Sequence, residues 1–188
     1  MEADGPGRLR ARRGTALRIV AVAATVALVV IGALVVLGGD DEQEATIKGP
    51  HGREFTLLRP DGWSEVGAEE RNLIPGEPLA VMRREEGEGL VTVTAPADRE
   101  QDVDAIAAEL DRRLAKAIPD FRKVAARVVR VAAGRALLYS YVRTKKATAH
   151  TLLVVPGPDV TYTVNAVVPA GAEDAARDVG EILNSFDV

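Results

Sequence analysis

Three serines, two histidines and a short acidic run are the side chains through which this chain could do covalent or metal chemistry. Ser64, Ser140 and Ser185 are its only serines. None lies in the G-x-S-x-G turn that exposes a nucleophile between a strand and a helix. His51 and His150 are its only histidines. The residues around His51 spell a turn and those around His150 a strand, and no spacing pairs either with a serine as base and nucleophile. Two histidines without a cysteine fall short of a zinc ligand set. Glu85, Glu86 and Glu88 could face calcium, but the alternating Asp, Asn and Gly of a dedicated loop are missing. Gly87 and Gly89 sit among those acids, which would repel a phosphate. The expectation is a protein that is not an enzyme and uses no metal or cofactor. Trp63, Tyr139, Tyr141 and Tyr162 could line a ligand slot. In a chain only 4% aromatic, such residues are expected to bury area in the core instead.

One charge pattern stands out. From Asp61 to Asp111 the chain carries fourteen acidic and four basic residues; from Arg112 to Lys146 it carries eleven basic residues and one acid, Asp120. Residues 147–188 return to a net −5, and the formal total of −4 conceals the segregation. The functional expectation is a basic contact face built from Arg112, Arg113, Lys116, Arg122, Lys123, Arg127, Arg130, Lys145 and Lys146. Such a face would meet anionic lipid headgroups or an acidic protein partner. The competing expectation is mutual neutralisation, with the acidic and basic segments forming cross-strand pairs in one sheet.

Residues 19–37 decide where that chemistry would take place. They read IVAVAATVALVVIGALVVL, without a charge and with Thr25 as the only polar side chain. Nineteen residues of helix reach about 28 Å, close to the roughly 30 Å of a hydrocarbon core. Arg8, Arg10, Arg12, Arg13 and Arg18 precede the run, and Asp40, Asp41, Glu42 and Glu44 follow it. Positive flanks stay in the cytoplasm, so residues 1–18 are expected inside as a disordered tail. Residues 38–44 are then a short linker, and residues 45–188 an extracytoplasmic domain at the cell membrane. A cleaved secretory signal is the competing reading. The run is longer than the usual apolar region of such signals, and no clean A-x-A site follows, so an uncleaved single-pass anchor fits better. The absence of cysteine excludes both a lipid-modified cysteine and disulfides. An outer location also removes nucleic acid from the expected partners.

The outer segment, about 144 residues, is the size of one ordinary domain. Residues 45–48 and 53–58 read as strands around the turn Gly49-Pro50-His51-Gly52, and Pro60-Asp61-Gly62-Trp63 as a second turn. Residues 64–78 read as loop. Residues 79–84 and 90–95 form a hairpin across the acidic tip. Val103, Ile106, Leu110, Leu114 and Ile118 mark a helix over 103–118, capped by Asp102 and ended by Pro119. Strands follow at 124–132, 135–143, 147–155 and 160–168. In the last of these, Val160, Tyr162, Val164, Ala166 and Val168 face one way. A helix over about 172–183 closes the chain. Tight turns between neighbouring strands imply an antiparallel sheet, here covered by two α-helices: an α+β fold.

These residues also carry a family resemblance. Glu54 to Trp63 contains F-x-x-x-x-P-x-G-W, which resembles the opening of the PsbP-like fold, a group that includes actinobacterial LpqN-like exported lipoproteins. The helix over 103–118 is similar to the central helix of that group. The stretch Val131-Ala132-Ala133-Gly134-Arg135-Ala136-Leu137-Leu138-Tyr139 resembles the strand after it, and Ile182-Leu183-Asn184-Ser185-Phe186 the closing I-x-x-S-F. The resemblance implies an antiparallel sheet with helices on its faces. It also implies a mostly non-enzymatic role in binding proteins, assisting assembly or contacting envelope lipids. It brings no functional residue with it, and the missing lipobox cysteine departs from the lipoprotein members. The expected function is a membrane-anchored, extracytoplasmic binding or scaffold protein of the cell envelope; the alternative is a binder or carrier of an envelope lipid or other apolar ligand.

Overall fold

The computed structural model describes residues 45–50, 52–95, 102–157 and 160–188. The expected tail at 1–18, span at 19–37 and linker at 38–44 lie outside them, as does His51. Among the described residues no helix is long and apolar enough to cross a membrane.

The elements run β1 (Ala45–Lys48), β2 (Thr56–Arg59), β3 (Trp63–Glu65), α1 (Ala68–Arg71), β4 (Ala80–Arg84), β5 (Leu90–Thr94), α2 (Val103–Ala117), β6 (Phe121–Val131), β7 (Gly134–Arg143), β8 (Thr148–Pro156), β9 (Thr161–Pro169) and α3 (Glu173–Asn184). Seven strands form one sheet in the order β3-β4-β5-β9-β8-β7-β6, and β1 and β2 pair separately. All pairings are antiparallel. The α+β class and the antiparallel sheet with two longer helices agree with the sequence.

Each longer helix covers a different face of the sheet. β7, next to the edge strand β6, is apolar on both sides, as a strand between two packed layers must be. Leu137, Tyr139 and Tyr141 face α2 and pack with Leu152, Val154, Val103 and Ile106. Ala136, Leu138 and Val142 face the other way, joining Leu153, Val164 and the α3 residues Val179, Ile182 and Leu183. Asp102 caps α2 by accepting from the Asp104 amide at 2.9 Å, and Ile118 turns to extended backbone before Pro119.

Four elements depart from the sequence reading. The stretch read as loop holds β3, which pairs Trp63 with Arg84 and Glu65 with Met82, and the four-residue helix α1. Elements this short carry no measurable period, so tertiary pairing alone defines them. β2 starts at Thr56 rather than residue 53, because Arg53 closes the β1–β2 turn by donating its amide to Pro50 O at 3.0 Å. β6 starts at Phe121, three residues early, because a bulge between Lys123 and Ala125 breaks the alternation that marks a strand.

Candidate functional site

The basic segment occupies one edge of the sheet. β6 is the terminal strand on that side, and α2 lies over β6 and β7. The acidic residues Glu65, Glu69, Glu70, Glu85, Glu86 and Glu88 belong to β3, α1 and the β4–β5 turn, around the opposite edge. Six strand spacings of about 4.8 Å separate the two edge strands, roughly 29 Å. Cross-strand neutralisation between the acidic and basic strands is therefore not how this sheet is arranged. The neutralising contacts near the basic edge are local. Arg112 pairs with Glu109 within α2, and Arg113 lies 3.9 Å from the same carboxylate. Lys123 reaches Asp111 at 2.7 Å, and Arg143 reaches Asp120 at 3.3 Å.

Register then divides the nine expected basic residues. Opposed residues in an antiparallel pair share a face. Lys123 opposes Tyr141 and Arg130 opposes Arg135, so both lie on the α2 face; Arg122 opposes Val142 and Arg127 opposes Leu138, so both lie on the α3 face. Arg112, Arg113 and Lys116 are exposed on α2, and Lys145 and Lys146 are exposed in the β7–β8 turn. The nine wrap around an edge instead of lying on one face. Lys116, Arg122, Lys145 and Lys146 all lie at the end of that edge where Asp120 meets the 144–147 turn, Lys116 on α2 and Arg122 on the α3 face.

Asp120 organises this end, and as the lone acid in a run of bases it was the available sequence signal. Its side chain is 5% exposed. One carboxylate oxygen accepts the Lys145 amide at 2.8 Å; the other accepts Arg143 Nε at 3.4 Å and Nη2 at 3.3 Å. Its own carbonyl accepts the Thr144 amide at 3.2 Å. The Lys145 amide, with Arg143, holds the carboxyl below its usual range.

A second linkage fastens α2 to the sheet. Tyr139, fully buried, donates its hydroxyl to Asp111, and Lys123 lies 5.4 Å from the Tyr139 ring centre. Lys123 and Tyr139 together lower the Asp111 pKa; burial, then Asp111, raises that of Tyr139. The linkage accounts for Lys123 as a structural cation. Among the described residues no three His, Cys, Asp or Glu side chains cluster as metal ligands. Two clefts among the described residues are open surface depressions, one of about 390 Å3 beside Asn72, Leu73 and Pro75 and one of about 570 Å3 beside Asp102 and Arg135.

His150 belongs to the packing. Its ring stacks on Tyr141 with centres 4.5 Å apart, and Nε2 lies 3.2 Å from Thr148 Oγ1. Burial, then Arg143 and Lys146, pushes its pKa from 6.5 down to about 4. Because the folded value is depressed, the unfolded chain binds the extra proton between those two values. Stability therefore rises with pH across that window and is flat above it. Denaturation midpoints are expected to fall between about pH 7 and pH 4.5 by the equivalent of about 2–3 kcal/mol, and His150→Gln is expected to remove most of that slope. The Asp111 and Asp120 carboxylates titrate lower still, so their contribution is lost only in stronger acid.

Comparison with solved structures follows this geometry. The cyanobacterial PsbP (CyanoP) from Synechocystis sp. PCC 6803 superposes with a TM-score of 0.53 at 13% identity, covering 81% of this chain and 96% of that one. This domain has the PsbP-like fold. LpqN of Mycobacterium tuberculosis shares it, with a TM-score of 0.51 at 16% identity over 77% of this chain and 90% of LpqN. So does a variant of the protein Mog1, with a TM-score of 0.53 at 13% identity over 78% and 96%. No family model and no curated protein matches the chain. At these identities the likeness is one of fold, and PsbP-like architecture does not assign a function by itself.

Proposed function

We propose that this chain is a single-pass membrane protein presenting a non-catalytic PsbP-like domain outside the cell, where it binds or scaffolds another protein of the envelope. The observation that carries this reading is the polarised charge on a solid domain. Bases gather along the edge strand β6 and in the β7–β8 turn, and acids in β3, α1 and the β4–β5 turn, across one continuous sheet. Such a dipole orients and selects a charged partner without needing a cavity. A lipid carrier would need room between sheet and helix. That space is filled on the α2 side by Leu137, Tyr139, Tyr141 and Val154, all no more than 6% exposed, which favours surface recognition. The apolar run at 19–37 with its arginine-rich flank supports the anchor and its direction. LpqN, which has the same fold, is described as involved in cell envelope biogenesis, in keeping with this location.

Photocrosslinking in cells tests the reading. A crosslinker replacing Arg113 or Arg130 is expected to capture a discrete protein partner, and one replacing Glu88 to miss it. Equal capture from both edges would remove the role of the dipole. Robust turnover in broad hydrolase profiling would remove the non-catalytic assignment.

A further inference from the structure

The end of the sheet that gathers Lys116, Arg122, Lys145 and Lys146 is also the end at which the chain enters the domain. Ala45 opposes Arg59 in β1–β2. Arg59 leads into the Pro60–Gly62 turn, and Gly62 O accepts the Glu85 amide at 2.8 Å. The 85–89 turn and the 144–147 turn lie at the same end, because Leu90 and His150 both oppose Val167 of β9. Residues 38–44, the seven that separate the apolar run from Ala45, reach at most about 24 Å when extended. A domain tethered this closely must present that end to the bilayer.

We infer that the Asp120-pinned β7–β8 turn, with Lys116 and Arg122 beside it, is a docking tip for the anionic headgroups of the membrane in which the chain is anchored. The inference rests on the anchored reading above and adds a ligand to it. All four cations are exposed and make no ion pair among the described residues. They differ in this from Arg112, Arg113, Lys123 and Arg143, each of which lies against a carboxylate, the first two sharing that of Glu109. The turn itself is held. Thr144 and Lys145 donate their amides to Asp120, and Arg143 is drawn back to the same carboxylate. Lys145 and Lys146 are exposed in this held turn. Asp120 is a positioning residue: it removes Arg143 from the contact and sets the two lysines. The acidic β4–β5 turn, at the same end but across β9, would be repelled by the same surface. The domain would therefore lean onto its basic corner. Contact of this kind acts within a Debye length of about 10 Å at 0.1 M salt.

The chain has no cysteine, so single labels can be placed in the full-length protein. Ala117→Cys, exposed beside the tip, carries a fluorophore; Leu73→Cys, 82% exposed on the loop at the opposite end, is the control. Each is reconstituted in nanodiscs of phosphatidylcholine with or without phosphatidylglycerol, with a quencher on the headgroups. The label at 117 is expected to be quenched severalfold more when phosphatidylglycerol is present, and the label at 73 to be indifferent. K145E/K146E is expected to return quenching at 117 to the phosphatidylcholine level, as is high salt. Asp120→Asn discriminates further. It makes the domain more positive, so simple charge would strengthen contact, whereas a positioning role predicts weaker contact in a variant that still folds. Quenching at 117 that ignores headgroup charge, or survives K145E/K146E, overturns the inference while leaving anchoring intact. Release of the chain from membranes by alkaline carbonate overturns the anchoring and this inference with it.

Discussion

Trp63→Ala is expected to lower stability by about 3–5 kcal/mol, the range for removing a fully buried aromatic side chain. Trp63 is 1% exposed, at the start of the edge strand β3. Its indole donates to Asp178 of α3 at 3.0 Å, and Arg84 of β4 approaches the same carboxylate at 3.4 Å. One side chain thus fills the core and ties strand to helix. Its ring comes so close to Gly89 that an added Cβ there would stand 3.0 Å away. Removing the ring leaves a cavity and takes a partner from Asp178. Trp63→Phe keeps most of the volume and loses the donor, so its cost should be well below that of alanine. Chemical denaturation followed by far-UV circular dichroism separates the two. Equal losses for Phe and Ala would mean that the hydrogen bond, and not the volume, dominates.

Phe186→Ala is expected to cost a similar amount, about 3–5 kcal/mol. Phe186 is fully buried two residues past the end of α3 at Asn184, and its ring centre lies 5.7 Å from that of Phe55 and 5.6 Å from that of Tyr162. The backbone beside it is also committed. Phe186 O accepts the Ala133 amide at 3.1 Å, and Thr56 and Asp187 exchange hydrogen bonds at 2.8 and 3.1 Å. The aromatic cluster therefore joins the β1–β2 hairpin, the start of β9 and the C-terminal segment. Phe186→Leu preserves much of the burial and is expected to lose mainly ring stacking, about 0.5–1.5 kcal/mol. Trp63 is the only tryptophan, so its fluorescence reports the transition in both variants. A loss below 1 kcal/mol for alanine, on the scale of about 3 expected for such a site, would show that the cluster is not packed as described.

The parts legible in the sequence were those with a long local period. β9 shows it well: Tyr162, Val164, Ala166 and Val168 are all buried on one side. α2 also declared itself, through the stripe from Val103 to Ile118 and the cap at Asp102. What the sequence hid was non-local. Three residues of β3 gain their meaning only from pairing with β4. The bulge at Lys123/Ala125 shifts the alternation of β6 and conceals its first turn of strand. Which helix covers which face of β7 cannot be read from a run that is apolar on both sides. The same limit applied to the basic segment. Its nine residues are close in sequence, but a strand sends Arg122 and Lys123 to opposite faces, and only the order of strands shows that β6 is an edge. Asp120 stood out in the sequence as the one acid among eleven bases. Its role in setting the 144–147 turn required the fold.

We propose a domain held outside the cell by an uncleaved N-terminal anchor, and labelling of single cysteines in intact cells tests this most directly. With a membrane-impermeant maleimide, Leu73→Cys is predicted to react in whole cells, and Leu9→Cys only after permeabilisation. The labelled full-length chain is predicted to remain in carbonate-washed membranes. Reaction of residue 9 from outside, protection of residue 73, or a shortened chain labelled at 73 and released to the medium would contradict the account.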